Sequence, residues 1–186
     1  MATEIARENG SMQVLVADKA LPQGDPSRLP APPDPDVEEL PVRWLFYTSG
    51  TTADPKGAQH TDGTIAAVAQ GMGERLALIE ADRSALVFPF THIGGVTWLF
   101  SALQFGCSLI LMESFHPERT PEVLSREGVT LAGSGTPFHM AYLAYQKSRP
   151  EPIFPNVRGF PGGGAPKPPQ LVHDMRAVFD APVLSG

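Results

Sequence analysis

From residue 42 onward the chain repeats one pattern. A short apolar run leads into a loop rich in Gly, Thr or Pro, and then into a stretch with apolar residues every three or four positions. The short runs read as strands, and the three-to-four spacing reads as helices lying over them. VRWLFYT (42–48), SALVFPF (84–90), CSLILME (107–113), VTLAG (129–133), VRGFPGG (157–163) and APVLSG (181–186) are the expected strands. Helices are expected over 61–79, 94–106, 120–128, 136–148 and 168–179. In the first of these, Ile65, Val68, Met72, Leu76 and Ile79 fall on one face, and Thr61 or Asp62 is placed to cap its start. Alternation of this kind argues an α/β fold, a mostly parallel sheet with covering helices. Ligands of such sheets sit beyond the carboxyl ends of strands. Three loops are therefore candidates: 48–57, 89–95 and 161–167.

The N-terminal part differs. Residues 22–41 carry seven Pro and several acids, the composition of an extended connection. We divide the chain into an N-terminal segment with a Pro-rich linker (1–41) and a folded part (42–186). A net charge of −6 argues against nucleic acid or an anionic membrane as a general partner, since both want a basic face. No run approaches the ~18 continuous apolar residues that span a bilayer, and the N-terminus shows no secretory pattern. The single cysteine, Cys107, forms no internal disulfide and reads as a small buried hydrophobe. A reducing, cytoplasmic setting is expected.

TSGTTADPKG (48–57) gathers what a phosphate needs: Gly for close backbone approach, hydroxyl donors and a cation. It is not a P-loop, which ends in Gly-Lys-Ser/Thr; here Lys56 stands between Pro55 and Gly57. His60, His116, His139 and His173 lack metal-ligand spacing and read as surface or helix-face residues, and no metal site is expected. Ser134 sits in GSG rather than G-x-S-x-G, so no hydrolase nucleophile is indicated. Glu122 and Asp174 read as solvated helix charges.

The order YTSGTTxxPKG, carried by Tyr47–Thr52 and Pro55–Gly57, resembles the signature of the adenylate-forming superfamily: acyl-CoA synthetases, peptide-synthetase adenylation domains and luciferases. Ala53 stands where that family usually has Gly. FPFTHIGG (88–95) resembles its P-x-x-H-x-x-G segment, and GGGAPKPP (162–169) resembles its G-G-A-P-L loop, with Lys167 at a usually apolar position. The resemblance implies nucleotide binding by Thr48, Ser49, Gly50, Thr51, Thr52, Lys56, Gly57, Gly163, Gly164, Ala165 and Pro166. It implies a substrate pocket at His92, Gly95 and Trp98, with Lys56 offsetting charge in catalysis. The implied activity is ATP-dependent activation of a carboxylic acid to an acyl-adenylate, followed by transfer to coenzyme A, with ATP, Mg²⁺ and coenzyme A taking part. The apolar stretch 93–105 points to a fatty or other apolar acid. The family's Tyr-Gly-x-Thr-Glu motif and small C-terminal domain would follow Gly186. The chain is thus expected to be an incomplete portion of the large N-terminal domain, its open edges covered by a dimer mate or a complementary chain. A second reading stays open: a non-catalytic nucleotide- or partner-binding remnant of an acyl-CoA ligase.

Overall fold

The computed structural model describes residues 25, 27, 41–48, 56–163 and 165–185. Two compact units divide the chain, Met1–Glu38 and Glu39–Gly186. In the first, the Ser27 N–H and hydroxyl both donate to Asp25 Oδ1, at 3.0 and 2.7 Å.

The second unit opens with β1 (Trp44–Thr48) and β2 (Lys56–His60), an antiparallel pair in which Thr48 faces Lys56. This corrects the sequence expectation, which made residues 42–48 the first strand of the parallel set and placed no strand after the Gly/Thr loop. The pair packs on helices: the Trp44 indole N–H donates to Asp62 Oδ1 at 2.8 Å, and its ring meets Phe100 edge-on.

Helix α1 (Asp62–Arg75) starts at a capping box. Thr61 Oγ1 accepts from Thr64 N at 3.1 Å, and Thr64 Oγ1 accepts from Thr61 N at 3.0 Å. Its buried face is Ile65, Ala69 and Gly73, while Val68 and Ile79 are exposed. Of the predicted face, Ile65 and Leu76 are buried and Met72 packs against the core, whereas Val68 is exposed and Ile79 lies beyond the helix end. The neighbouring helix α2 (Ile93–Phe105) approaches along small residues instead: Ser101 Oγ donates to Ala69 O at 2.8 Å, and a Cβ on Gly73 would overlap the Phe105 ring.

The parallel sheet follows. β3 (Arg83–Leu86) pairs with β4 (Ser108–Leu111), and β5 (Phe160–Gly162) pairs with β6 (Val183–Ser185), both parallel. Leu131 joins the two pairs, bridging Ser84 on one side and Gly159 on the other. The expected strand 129–133 thus shrinks to one bridged residue, although Ala85 N, Ala132 N, Ser134 N and Arg158 N continue the hydrogen bonding around it. Across the sheet the order is β4, β3, the 131 segment, β5, β6. Helices α3 (Arg119–Arg126), α4 (Thr136–Lys147) and α5 (Pro169–Phe179) complete the alternation. Gly106 and Gly128, at φ 72° and 67° after α2 and α3, take the left-handed turn that favours glycine.

Residues along β3 alternate between two cores. Ala85 and Val87 join Leu124, Tyr142, Phe160 and Met175 under α3, α4 and α5. Leu86 joins Leu76, Trp98, Ala102 and Leu131 under α1 and α2. Burial on both faces is what a parallel α/β sheet requires. Cys107 lies buried in the second core, where burial pushes its thiol upward in pKa. No helix among the described residues is long and apolar enough to cross a membrane.

At the amino-terminal side of the sheet, Asp82 ties four segments together. Its carboxylate accepts from Arg158 Nε at 2.8 Å and Arg158 Nη2 at 2.6 Å, from Thr130 Oγ1 at 2.7 Å and from Ile79 N at 3.0 Å. Arg158 also donates to the carbonyls of Leu76 and Ala77.

Candidate functional site

The strand order fixes where a ligand fits. The chain runs from β3 outward to β4, then returns past β3 to the 131 segment before moving on to β5 and β6. The reversal makes a switch point between β3 and the 131 segment, and ligands of such sheets bind beyond the strand ends at that point. Three loops meet at this end of the sheet: 87–95, 133–136 and 162–167.

In the first loop, His92 caps α2. Its Nδ1 accepts from Gly94 N at 3.0 Å, which leaves the ring proton on Nε2. The ring is exposed and stands edge-on to Phe88, with centroids 5.9 Å apart. Gly95 is buried, and a Cβ there would sit 2.8 Å from Phe90 Cα; only glycine lets the first turn of α2 close on this loop. An open cleft of about 440 Å³ lies beside it, lined by Leu86, Phe88, Pro89, Phe90, Leu111, Met112 and Glu113. Trp98 is buried in the α1–α2 core, and its Cζ2 lies 3.4 Å from where a Gly133 Cβ would be. Phe100 and Phe105 likewise pack against Trp44 and Gly73.

The second and third loops hold each other. Ser134 N donates to Pro161 O at 2.8 Å, and Thr136 Oγ1 donates to Pro166 O at 3.0 Å. Lys167 Nζ donates to Gly162 O at 2.6 Å. A Cβ on Gly162 would overlap Ser134 O and lie 3.0 Å from His139 Cε1. Gly163, Ala165 and Pro166 are exposed along this turn. Thr48, Lys56 and Gly57 lie on the β1–β2 hairpin, with Lys56 and Gly57 exposed. Ser49, Gly50, Thr51, Thr52 and Gly164 lie outside the described residues, as does Ala53.

Sequence reasoning misplaced one residue here. His139 was expected on a surface or helix face; it is fully buried under β5, edge-on to Phe160. Burial, helped by the nearby Lys167 charge, lowers its pKa from 6.5 to about 4. Its ring is thus neutral at pH 7. Both ring nitrogens, the buried Ser134 Oγ and the Tyr142 hydroxyl have no hydrogen-bond partner among the described residues. The Pro161 carbonyl accepts from Ser134 N, keeps a second lone pair and faces the His139 ring, where it partly opposes the lowering of the imidazole pKa. A buried polar group left unsatisfied costs about 1–3 kcal/mol. The only sequence signal was a His at a helix position otherwise surrounded by apolar residues. Glu122 and Asp174 do lie on helix surfaces, but bonded: Glu122 accepts from Tyr145 Oη at 2.8 Å, and Asp174 accepts from Gln170 Nε2 at 2.6 Å. Among the described residues no three His, Cys, Asp or Glu side chains gather as a metal site.

A doubly wound α/β sheet with glycine-shaped loops at its switch point is a class of fold that binds nucleotides beyond the carboxyl ends of its strands. Comparison with known proteins narrows this. The model of the AMP-binding enzyme family matches residues 3–186, and the chain belongs to that family. It is 31% identical over 132 residues to a 2-succinylbenzoate–CoA ligase of Bacillus velezensis, covering 71% of this chain and 26% of that one. The inhibitor-bound N-terminal domain of FACL13 from Mycobacterium tuberculosis superposes with a TM-score of 0.71 at 27% identity, over 83% of this chain and 38% of that one. O-succinylbenzoate coenzyme A synthetase (MenE) from Bacillus subtilis, in complex with ATP and magnesium ion, gives 0.66 at 30% identity, over 76% of this chain and 29% of that one. The chain spans about a quarter of the length of the curated relatives it matches.

Proposed function

We propose that residues 42–186 form the nucleotide- and acid-binding part of an ATP-dependent acid–coenzyme A ligase. Mg·ATP and a carboxylic acid react to an acyl-adenylate and pyrophosphate, and the acyl group then passes to the thiol of coenzyme A. The observation that supports this reading is the meeting of loops 87–95, 133–136 and 162–167 at the switch point of a chain in the AMP-binding enzyme family.

The chemical difficulty is charge, because an anion must attack a polyanion. In this reading Lys56 lowers the local negative potential, and Thr48, Ser49, Thr51 and Thr52, with the close-approaching Gly50 and Gly57, hold the departing phosphates. Gly163, Gly164, Ala165 and Pro166 offer backbone to the nucleotide. His92 and Gly95 line the acid side, with Trp98 supporting Gly133 from behind. Magnesium enters as part of the nucleotide substrate, and no metal-holding role falls to the described side chains. The cleft beside Phe88, Phe90 and Met112 favours an acid with an apolar body. Exposed Leu99 and Leu103 on α2 and Leu111 on β4 favour self-association or a complementary chain, which light scattering reads directly. The setting we propose is the cytoplasm.

Calorimetric titration with Mg·ATP, followed by ATP–pyrophosphate exchange over a panel of carboxylic acids, tests the proposal. Lys56→Ala should weaken ATP binding roughly tenfold, about 1.4 kcal/mol, and abolish exchange. Binding without exchange for any acid would assign nucleotide binding without turnover. A chain that does not bind ATP would sink the phosphate-loop assignment.

A further inference from the structure

Loop 162–167 is closed on itself by one side chain. Lys167 Nζ donates to the Gly162 carbonyl at 2.6 Å, five residues back and at the carboxyl end of β5. An ammonium donor makes a shorter and stronger hydrogen bond than a neutral one. The lysine stem lies half-buried against the strand end, with Cε 3.3 Å from where a Gly162 Cβ would be. Gly162 is held from its other side as well, since a Cβ there would overlap Ser134 O. A second tie reaches the far end of the loop, where Thr136 Oγ1 donates to Pro166 O at 3.0 Å. Between Gly162 and Lys167, residues Gly163, Ala165 and Pro166 stand exposed.

We infer that Lys167 is a positioning residue for the nucleotide: its bond to Gly162 O holds loop 162–167 in the shape that meets the adenosine end of ATP. The inference rests on the nucleotide-binding reading above, in which Gly163, Ala165 and Pro166 offer backbone. Glycine-rich backbone has many accessible conformations, and a ligand that must order it on arrival loses affinity. The Lys167 latch does that ordering in advance. An apolar side chain at 167 fills similar space, but it has no proton to give the Gly162 carbonyl and leaves the loop closed only by Thr136.

Two lysines then have separate tasks. Lys56, on β2, offsets the phosphate charge. Lys167 acts through the loop on the adenosine end. Inorganic tripolyphosphate carries the phosphates without the adenosine, and AMP carries the adenosine with one phosphate. The two probes therefore separate the tasks.

The test uses the whole chain and calorimetric titration with Mg·ATP, AMP and Mg·tripolyphosphate, comparing the natural sequence with Lys167→Met and Lys167→Arg. Methionine keeps most of the stem and removes the donor, whereas arginine restores a charged donor. Lys167→Met should weaken ATP and AMP roughly tenfold, about 1.4 kcal/mol, and leave tripolyphosphate within about twofold. Lys167→Arg should recover most of the loss. Lys56→Ala should show the opposite pattern, weakening ATP and tripolyphosphate and sparing AMP. Unchanged ATP and AMP affinity in Lys167→Met overturns this inference alone. So does an equal loss of ATP and tripolyphosphate, which would make Lys167 a phosphate contact, and so does a Lys167→Met chain that circular dichroism shows unfolded, which would make it a residue of the fold. Failure of the natural sequence to bind ATP or AMP overturns both this inference and the reading it rests on.

Discussion

Asp82→Ala tests whether the sheet is held together at its amino-terminal side by one buried carboxylate. Asp82 is 2% exposed and Arg158 36% exposed. The substitution removes two charge-assisted bonds from Arg158 and strips the only acceptors in the network from Thr130 Oγ1 and Ile79 N. Losing one partner of a buried ion pair costs about 3–5 kcal/mol. Arg158 retains water access and its bonds to Leu76 O and Ala77 O, which places the expected loss at the lower end, about 3 kcal/mol. A domain of this size holds about 5–15 kcal/mol in all, so the loss is large. Urea unfolding followed by circular dichroism measures it, with the slope checked for constancy. Adding Arg158→Met to the Asp82→Ala chain should recover part of the loss, because the uncompensated cation goes. A loss below about 1 kcal/mol, or no recovery in the double variant, would refute the network as the clamp between α1, β3 and the segment before β5. The pH dependence carries a sign. Burial opposes ionisation of Asp82, but its bonds, led by Arg158, outweigh burial and hold the carboxyl below its usual value of 3.8. The stabilisation is therefore complete above about pH 4 and is lost as pH falls through the folded value.

His139 acts in a different window. Its pKa is about 4 in the folded chain against 6.5 unfolded, so stability should fall as pH drops from about 6.5 to about 4, by roughly 3 kcal/mol at the lower end; in His139→Leu, a thermal melting series across that range should lose this slope. Gly73→Ala should destabilise by about 1–3 kcal/mol despite the better helix propensity, because the new methyl meets the Phe105 ring; an unchanged midpoint in urea would show that the ring gives way freely. Thr61→Ala should cost about 1 kcal/mol through loss of the α1 cap, with chemical denaturation as the measure.

Sequence alone determined most of the elements and their order, missing β2 and overextending the 131 segment. Helix and strand periods are local, so the α/β alternation and the glycines closing α2 and α3 could be read directly, and the α1 cap could be narrowed to Thr61 or Asp62, of which the structure uses Thr61. The order of loop motifs was equally local, and it carried the family resemblance. Tertiary structure decided what depends on partners distant in the chain. Residues 42–48 make a good strand anywhere; only the packing of Trp44 on Asp62 and Phe100 shows them in a hairpin against helices. On α1 the periodicity located Ile65, Met72 and Leu76 on the core side, but it gave Val68 a place there, whereas close helix packing selected the small Ala69 and Gly73 to admit Ser101 and Phe105. The strand order, and with it the switch point, rests on bridges from Leu131 to Ser84 and Gly159, pairings that no local pattern encodes. His139 shows the same limit. A single polar residue on a helix looks solvated until β5, more than 20 residues later, covers it. Burial belongs to the assembled neighbours, and only the assembled fold could turn that histidine from a surface residue into a buried polar group.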